Sequence, residues 1–338
     1  MKSAIIIGIT GQDGSYLAKL LLEKGYYVYG ITRDGLELNN KGLKYLEIDS
    51  EIEIIELPFL NKERILKILK KTKPIEIYNL SAQSSVGYSF IDPFITLEYN
   101  ISSVLYWLEC IKAYDQDIKF YHASSSEMFG NVRQIDLPLR ESLIFRPASP
   151  YGISKAAAHW LVVNYRESNS LFCSCGILFN HESPLRGSQY VVKKIINTAV
   201  KIKMGISKKP IALGNIEIKR DWGYAPEYVY AMWLIMQHKE PGDFLICSGN
   251  VWSLKDLVTY VFQYLHLDLN AFVTHDDSLL RPKDLEIIYG DNLKARNLLG
   301  WNYNLSNEKL VEKLIEEEFK YIEWELRIAH KYVSHSVN

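Results

Sequence analysis

A chain of 338 residues with 48% apolar and 23% charged side chains can bury a sizeable core under a soluble surface, as two domains or one large α/β unit with an added lobe. Its formal net charge of −1 excludes the basic excess that nucleic acid or an anionic membrane would select. The apolar runs are too short to span a membrane, and the start, MKSAIIIGITGQDG, is too short and glycine-rich for a signal peptide, so a cytoplasmic location is expected.

Ala4–Ile7 is a β-branched run suited to a strand buried on both faces. Gly8-Ile9-Thr10-Gly11-Gln12-Asp13-Gly14 follows, then SYLAKLLLEKG, where Leu17, Leu20 and Leu21 recur at helical spacing, and then a second strand, YVYGIT. Glycines between a strand and a helix inside a β-α-β unit predict a dinucleotide site. Gly8 permits the tight turn, Gly11 lets backbone N–H groups reach a pyrophosphate, Gly14 lets the helix pack close, and the helix N-terminus supplies positive potential. An acid ending the second strand would select NAD. Here Thr32 and Arg33 stand there with Asp34 behind them, and Arg33 can pair with a 2′-phosphate, favouring NADP over NAD.

The alternation continues with EIEIIEL as strand, NKERILKILKKT as helix and IEIYNL as a strand ending in Ser81-Ala82-Gln83-Ser84. A long helix then starts at the Asp92 cap, and IKFYHASSS is the next strand. This order predicts a doubly wound parallel sheet of the Rossmann type with ligands outside the carboxyl ends of the strands. Those ends carry Gly8–Gly14, Leu80–Ser84 and Ser124–Glu127. Farther on, Pro150 opens a helix in which Tyr151 and Lys155, four apart, share one face. A free phenol is a poor base near neutrality, and a neighbouring ammonium and a cationic nicotinamide would both favour the phenolate. His159 reads as a packed or surface side chain. Cys110, Cys173, Cys175 and Cys247 lack disulfide or zinc spacing and read as buried structural thiols in a reducing compartment.

The glycine loop, the serine-rich strand end and the Tyr151/Lys155 pair together resemble an extended short-chain dehydrogenase/reductase. The match is closer still to the GDP-mannose 4,6-dehydratases and related GDP-sugar dehydratases. The residues carrying it include GITGQDGSYLAKLLLEKGY, YNLSAQSSV, ASSSEMFG, SPYGISK, GILFNHESPLRG, LGNIEIKRDWGYAPEYV and RPKDLEIIYGD, from residue 4 to about 301. The resemblance implies Ser125 as the catalytic hydroxyl, Glu127 as acid and base, and Tyr151 with Lys155 as the redox pair. In the implied cycle, Tyr151 takes the O4 proton as C4 gives up hydride, and Ser125 holds the developing C4 oxygen. Glu127 then removes the C5 proton and protonates the departing C6 hydroxyl, and the hydride returns to C6. The ketone stabilises the carbanion, so no metal is needed.

Cofactor contacts are implied for Gly8, Thr10, Gly11, Gln12, Asp13, Gly14, Arg33, Leu80, Ala82, Ser84, Tyr151, Lys155, His181 and Arg186. For the nucleotide sugar, Ser85, Asn180, Lys194, Arg220 and Arg281 are implied, with Glu286 on a ribose. Two arginines suit a pyrophosphate, because their planar forks bind its oxygens in pairs.

Three departures shape the expectations. Leu57-Pro58-Phe59-Leu60-Asn61 replaces the family's Gly-Asp-Leu-Thr-Asp, removing the aspartate that meets adenine. The segment from Asp34 to Glu53 lacks the arginine and serines that help build the family tetramer, which leaves a dimer on the Phe94–Tyr114 and Tyr151–Glu167 helices as the expected assembly. Ser85 and Ala148 replace bulkier or charged residues near the hexose, which suggests a larger GDP-linked sugar such as an N-acetylhexosamine or a heptose. A dinucleotide-binding domain is expected over 1–179 plus about 225–267, and a sugar-nucleotide lobe over about 180–224 plus 268–338, closed by a long amphipathic helix with Leu310, Leu314 and Phe319 on its packed side. The alternatives are a GDP-sugar epimerase or reductase of the same fold, or a non-catalytic dinucleotide-binding scaffold.

Overall fold

The computed structural model describes residues 2–33, 40–280 and 283–335, with side chains to 329. The elements used below are β1 (Ser3–Ile7), α1 (Gln12–Glu23), β2 (Tyr27–Thr32), β3 (Glu53–Glu56), α2 (Lys62–Thr72), β4 (Glu76–Asn79), α3 (Val86–Ile91), α4 (Pro93–Tyr114), β5 (Lys119–Ser125), α5 (Pro150–Asn169), β6 (Cys173–Leu178), β7 (Asn180–Glu182), α6 (Val191–Lys203), β8 (Trp222–Tyr224), α7 (Ala225–Gln237), β9 (Asp243–Ile246), α8 (Leu254–Tyr264) and α9 (Asn307–His335).

Seven strands form one sheet in the order β9-β6-β5-β4-β1-β2-β3, and every neighbouring pair is parallel. The chain winds outward in both directions from β1 and β4. The loops leaving these two strands therefore part, and the crevice they leave is where such sheets bind ligands. The side chains account for the strands, since Ala4–Ile7 of β1 and all of β4 are buried, as a sheet covered on both faces requires. Helix starts are marked chemically. Asn61, Asp92 and Ser149 each accept a backbone N–H from three residues on, at 3.0 Å, and Pro93 and Pro150 occupy first-turn positions that need no donor.

Helices cover both faces. On one, Leu17, Ala18 and Leu21 of α1 share a core with Tyr228, Met232 and Ile235 of α7, and on the other Trp107, Leu108 and Ile111 of α4 share one with Val162 and Tyr165 of α5. A third core, with Ile195, Val200, Leu257, Val261, Leu310 and Leu314, belongs to the lobe, and Phe319 packs against it half-buried. Of the stretch about 225–267 assigned to the dinucleotide-binding unit, α7 and β9 lie on and in the large sheet, whereas α8 packs in the lobe's core. Among the described residues no helix is long and apolar enough to cross a membrane.

Candidate active site

Strand β1 ends in a turn that only glycine permits. Gly8 adopts φ +87°, and its carbonyl accepts the Gly11 N–H at 3.1 Å. A Cβ on Gly14 would stand 2.3 Å from the Gly8 oxygen and 2.7 Å from Ile9 Cα, both backbone, so α1 sits as close to the turn as a glycine allows. The loop is held from across the crevice. His181 has its Nδ1 2.7 Å from the Phe179 oxygen and its Nε2 2.9–3.0 Å from both Asp13 oxygens, while Gln12 donates to the His181 oxygen at 3.1 Å and accepts from Ser183 at 2.7 Å. Burial pushes the Asp13 carboxyl up, but His181, Arg186 and Gln12 outweigh it and hold the group below its ordinary range. Residues 12, 13, 181 and 183 thus form a clamp that fixes the open N-terminus of α1 toward the cavity.

Strand β5 ends at Ser125, whose Oγ accepts the Glu127 N–H at 3.3 Å and starts a 3-10 turn over Ser126–Phe129. That turn carries Glu127 to the cavity wall. Opposite stands the first turn of α5. Tyr151 lines the same cavity as Ser125, and its phenol lies in the field of the Glu127 carboxylate. Lys155 is buried, and its Nζ donates to the Ala123 oxygen at 2.9 Å. Burial dominates and pushes the Tyr151 phenol above its ordinary value, and the Lys155 Nζ, 6.0 Å from the ring centroid, does not offset this. Burial also pushes Lys155 down to about 8.

One cavity of about 1490 Å³ joins these groups. Its walls include Gly8, Thr10, Gly11, Gln12, Asp13, Gly14, Arg33, Leu80, Ala82 and Ser84 on the side of the strand ends, together with Ser125, Glu127, Tyr151 and Lys155. Ser85, Asn180, His181, Arg186, Lys194 and Arg220 line it toward the lobe. Ser85 also caps α3 by accepting the Tyr88 N–H at 3.2 Å. Ala148 is off the wall, packed against the core beside Gly130. Glu286 is exposed and off the wall as well, because its carbonyl accepts the Lys219 N–H and starts a short strand that leaves the side chain to solvent. Arg281 and Asp34 lie outside the described residues.

Sequence reasoning missed several wall residues. Asp284 accepts from Arg220 at 3.0 Å, Tyr190 meets the Ser84 hydroxyl at 2.6 Å, and the Arg186 guanidinium stacks on the Tyr190 ring at 3.8 Å. Asn100 of α4 ties the Gln83 loop to Ser154 of α5 through bonds of 2.8–3.1 Å. At the far end Pro58 and the exposed Phe59 line the wall, and Arg33 lies 5.7 Å from the Tyr99 ring.

The family described as GDP-mannose 4,6 dehydratase matches residues 5–314. The chain belongs to the GDP-mannose 4,6-dehydratase family. It is 39% identical to GDP-mannose 4,6 dehydratase 1 of Arabidopsis thaliana (94% of this chain, 90% of that one) and 38% identical to the Homo sapiens enzyme (93% and 91%). It is 36% identical to the Sinorhizobium fredii enzyme (95% and 97%). Its fold is shared with dTDP-glucose 4,6-dehydratase from Bacillus anthracis in complex with NAD (TM-score 0.83, 18% identity, 96% and 98% covered). It is also shared with RMD from Pseudomonas aeruginosa complexed with NADPH (TM-score 0.77, 19% identity, 95% and 99% covered).

Proposed function

We propose that this protein is a GDP-sugar 4,6-dehydratase that uses a bound nicotinamide dinucleotide and regenerates it in each turnover. The observation that carries the reading is that Ser125, Glu127 and Tyr151 line one cavity, with the Tyr151 phenol in the field of the Glu127 carboxylate. An epimerase or reductase needs the first pair only, whereas elimination of water across C5 and C6 also needs a carboxylate. The family membership and the relatives' names, all GDP-mannose 4,6-dehydratases, support the substrate class.

The residues fit the cofactor. Glycines 8, 11 and 14 leave room for backbone N–H groups to meet a pyrophosphate, and the clamped start of α1 directs its positive end there. Lys155 can hold the nicotinamide ribose. When bound, the nicotinamide supplies the acceptor and donor of hydride. Arg33, at the end of β2, favours the 2′-phosphate of NADP, as a guanidinium binds phosphate in a fork. Fold neighbours were solved with NADPH or NAD, which supports the cofactor class.

The chain's own chemistry follows. Tyr151 withdraws the O4 proton as Ser125 donates to the developing carbonyl oxygen. Glu127, on its short turn, then takes the C5 proton and delivers a proton to the C6 hydroxyl as it leaves. General acid–base help of this kind contributes about 10²–10⁴-fold. Arg220, held by Asp284, and Lys194 face the lobe side of the cavity, where the GDP phosphates would lie. Ser85 on the wall leaves room for a sugar larger than mannose, such as an N-acetylhexosamine or a heptose. The protein acts as a homodimer through α4 and α5, whose outer faces expose Phe94 (83%) and Trp160 (59%) with Ile95, Leu105 and Ile153.

The test is a panel of GDP-mannose, GDP-N-acetylglucosamine and a GDP-heptose, read by mass. A product lighter by one water, formed without consumption of added NADP(H), supports the reading, and a preference for the larger sugars supports the roomier pocket. Turnover that consumes cofactor, or that inverts a centre without loss of water, contradicts it.

A further inference from the structure

Behind this part of the wall lies a buried polar chain that the proposed reaction does not use. Ser124, next to Ser125, has its Oγ 3.0 Å from His159 Nδ1. The other ring nitrogen, Nε2, stands 3.8 Å from Asp243 Oδ2, and Asp243 is gripped by Arg166 through two bonds of 2.9 and 2.8 Å. Ser124, His159 and Cys175 are all buried. Buried polar groups are retained when each is satisfied, and such a network then fixes one geometry.

Its placement gives it a task. Tyr151, Lys155 and His159 are spaced by four along one side of α5, which faces the end of β5. Lys155 holds the Ala123 carbonyl and His159 the Ser124 hydroxyl, while Tyr151 lines the cavity with Ser125. The two serines point to opposite faces of the strand. Any slide or twist of β5 against α5 therefore changes the placement of Ser125 relative to Tyr151, and the Ser124–His159 bond resists it. The carboxylate at Nε2 favours the tautomer with its hydrogen there, leaving Nδ1 to accept from Ser124.

We propose that His159 and Ser124 are a positioning pair, anchored by Asp243 and Arg166, that sets the catalytic serine against the catalytic tyrosine. The inference rests on the dehydratase reading. The titratable and charged groups acting on the His159 ring are Asp243 from β9, Arg166 from α5 and His122 from β5, and the Cys175 sulfur of β6 lies within 4.8 Å of a His159 ring nitrogen; Phe145 covers the ring edge-on at 5.0 Å. Burial pushes the ring's pKa down against the pull of Asp243, which keeps it neutral and its tautomer fixed.

The test uses the full chain with its cofactor and three variants, Ser124→Ala, His159→Phe and His159→Gln. Loss of one buried hydrogen bond should lower kcat about tenfold in the first two, with KM for the GDP-sugar within about twofold. With substrate deuterated at C4, the isotope effect on kcat should rise. The Gln variant should recover most of the rate, and the Ser124→Ala/His159→Phe double variant should be no slower than the slower single. Folded Ser124→Ala and His159→Phe with wild-type kcat and isotope effect would overturn the positioning role. So would stoichiometric zinc bound by His159, Cys175 and Asp243, whose ligand atoms lie within 4.8 Å of one another. A wild type inactive on every GDP-sugar would sink the reaction instead. In that case ¹⁵N NMR of labelled histidine still decides the pair: a His159 ring fixed in one neutral tautomer is expected, and one titrating between about pH 6 and 8 overturns it.

Discussion

Burial acts on Tyr151 and Lys155 in opposite directions, raising the phenol and lowering the ammonium to about 8. Each shift favours the neutral form, so the pair is set by its position in the wall before any ligand adds charge. For Lys155 the sign is testable. Below pH 8 folded and unfolded chains both hold the proton, and the fold bears the full cost of a buried ammonium, on the order of 3 kcal/mol. Between about 8 and 10.5 the unfolded chain binds more proton, so this group's contribution makes stability rise with pH. Lys155→Met in the protein without nucleotide should melt above wild type at pH 7, with the gap closing toward pH 10; thermal melts across that range check it, and a gap that widens contradicts the burial cost. Function follows from the same residues. Tyr151→Phe and Glu127→Gln should each lower kcat by about 10²–10⁴-fold while nucleotide binding persists. They should fail differently. Tyr151→Phe blocks hydride removal from C4, whereas Glu127→Gln blocks exchange of the C5 proton with solvent, which NMR in D₂O detects.

At the scale of elements, the loop after β1 and the first turn of α5 were legible because their signals are local. Gly8–Gly14 sit at one strand–helix junction, and Tyr151 and Lys155 are one helical turn apart. The rest of the wall is assembled from afar. Ser84 and Tyr190 are separated by 106 residues and Arg220 and Asp284 by 64, distances that no periodicity spans. Glu286, expected on the sugar side, is exposed while Asp284 lines the wall, a distinction that a short strand decides. His159 read as packing because its partner Asp243 comes from a strand far along the chain. The junction itself yields a prediction. In Gly14→Ala the new methyl meets backbone at 2.3 Å, so α1 must retreat from the turn. Overpacking of this kind costs about 1–3 kcal/mol. The melting temperature should drop, and the dissociation constant for NADPH, read by fluorescence, should rise at least tenfold. Unchanged affinity would show that the turn does not set the pyrophosphate site.

For the whole molecule, the doubly wound parallel sheet was legible from alternating strand and helix, but the packing of α8 in the third core was not. Its apolar face fits either core by pattern, and only the fold shows that it packs on α6 and α9. The exposed apolar side of α4 and α5 is a property of the whole surface. Trp160→Arg on that face should convert a dimer into monomers by light scattering, with the melting curve little changed. A wild type already monomeric at micromolar concentration would refute the assembly.

In the proposed reaction hydride leaves C4 and returns to C6 of the same sugar, with Glu127 expelling water between. The direct measurement is turnover of a GDP-hexose carrying deuterium at C4, with the product read by NMR and mass. The expected product is a 4-keto-6-deoxy sugar with that deuterium at C6 and the cofactor unchanged. Deuterium remaining at C4, or released into a consumed cofactor, would contradict it.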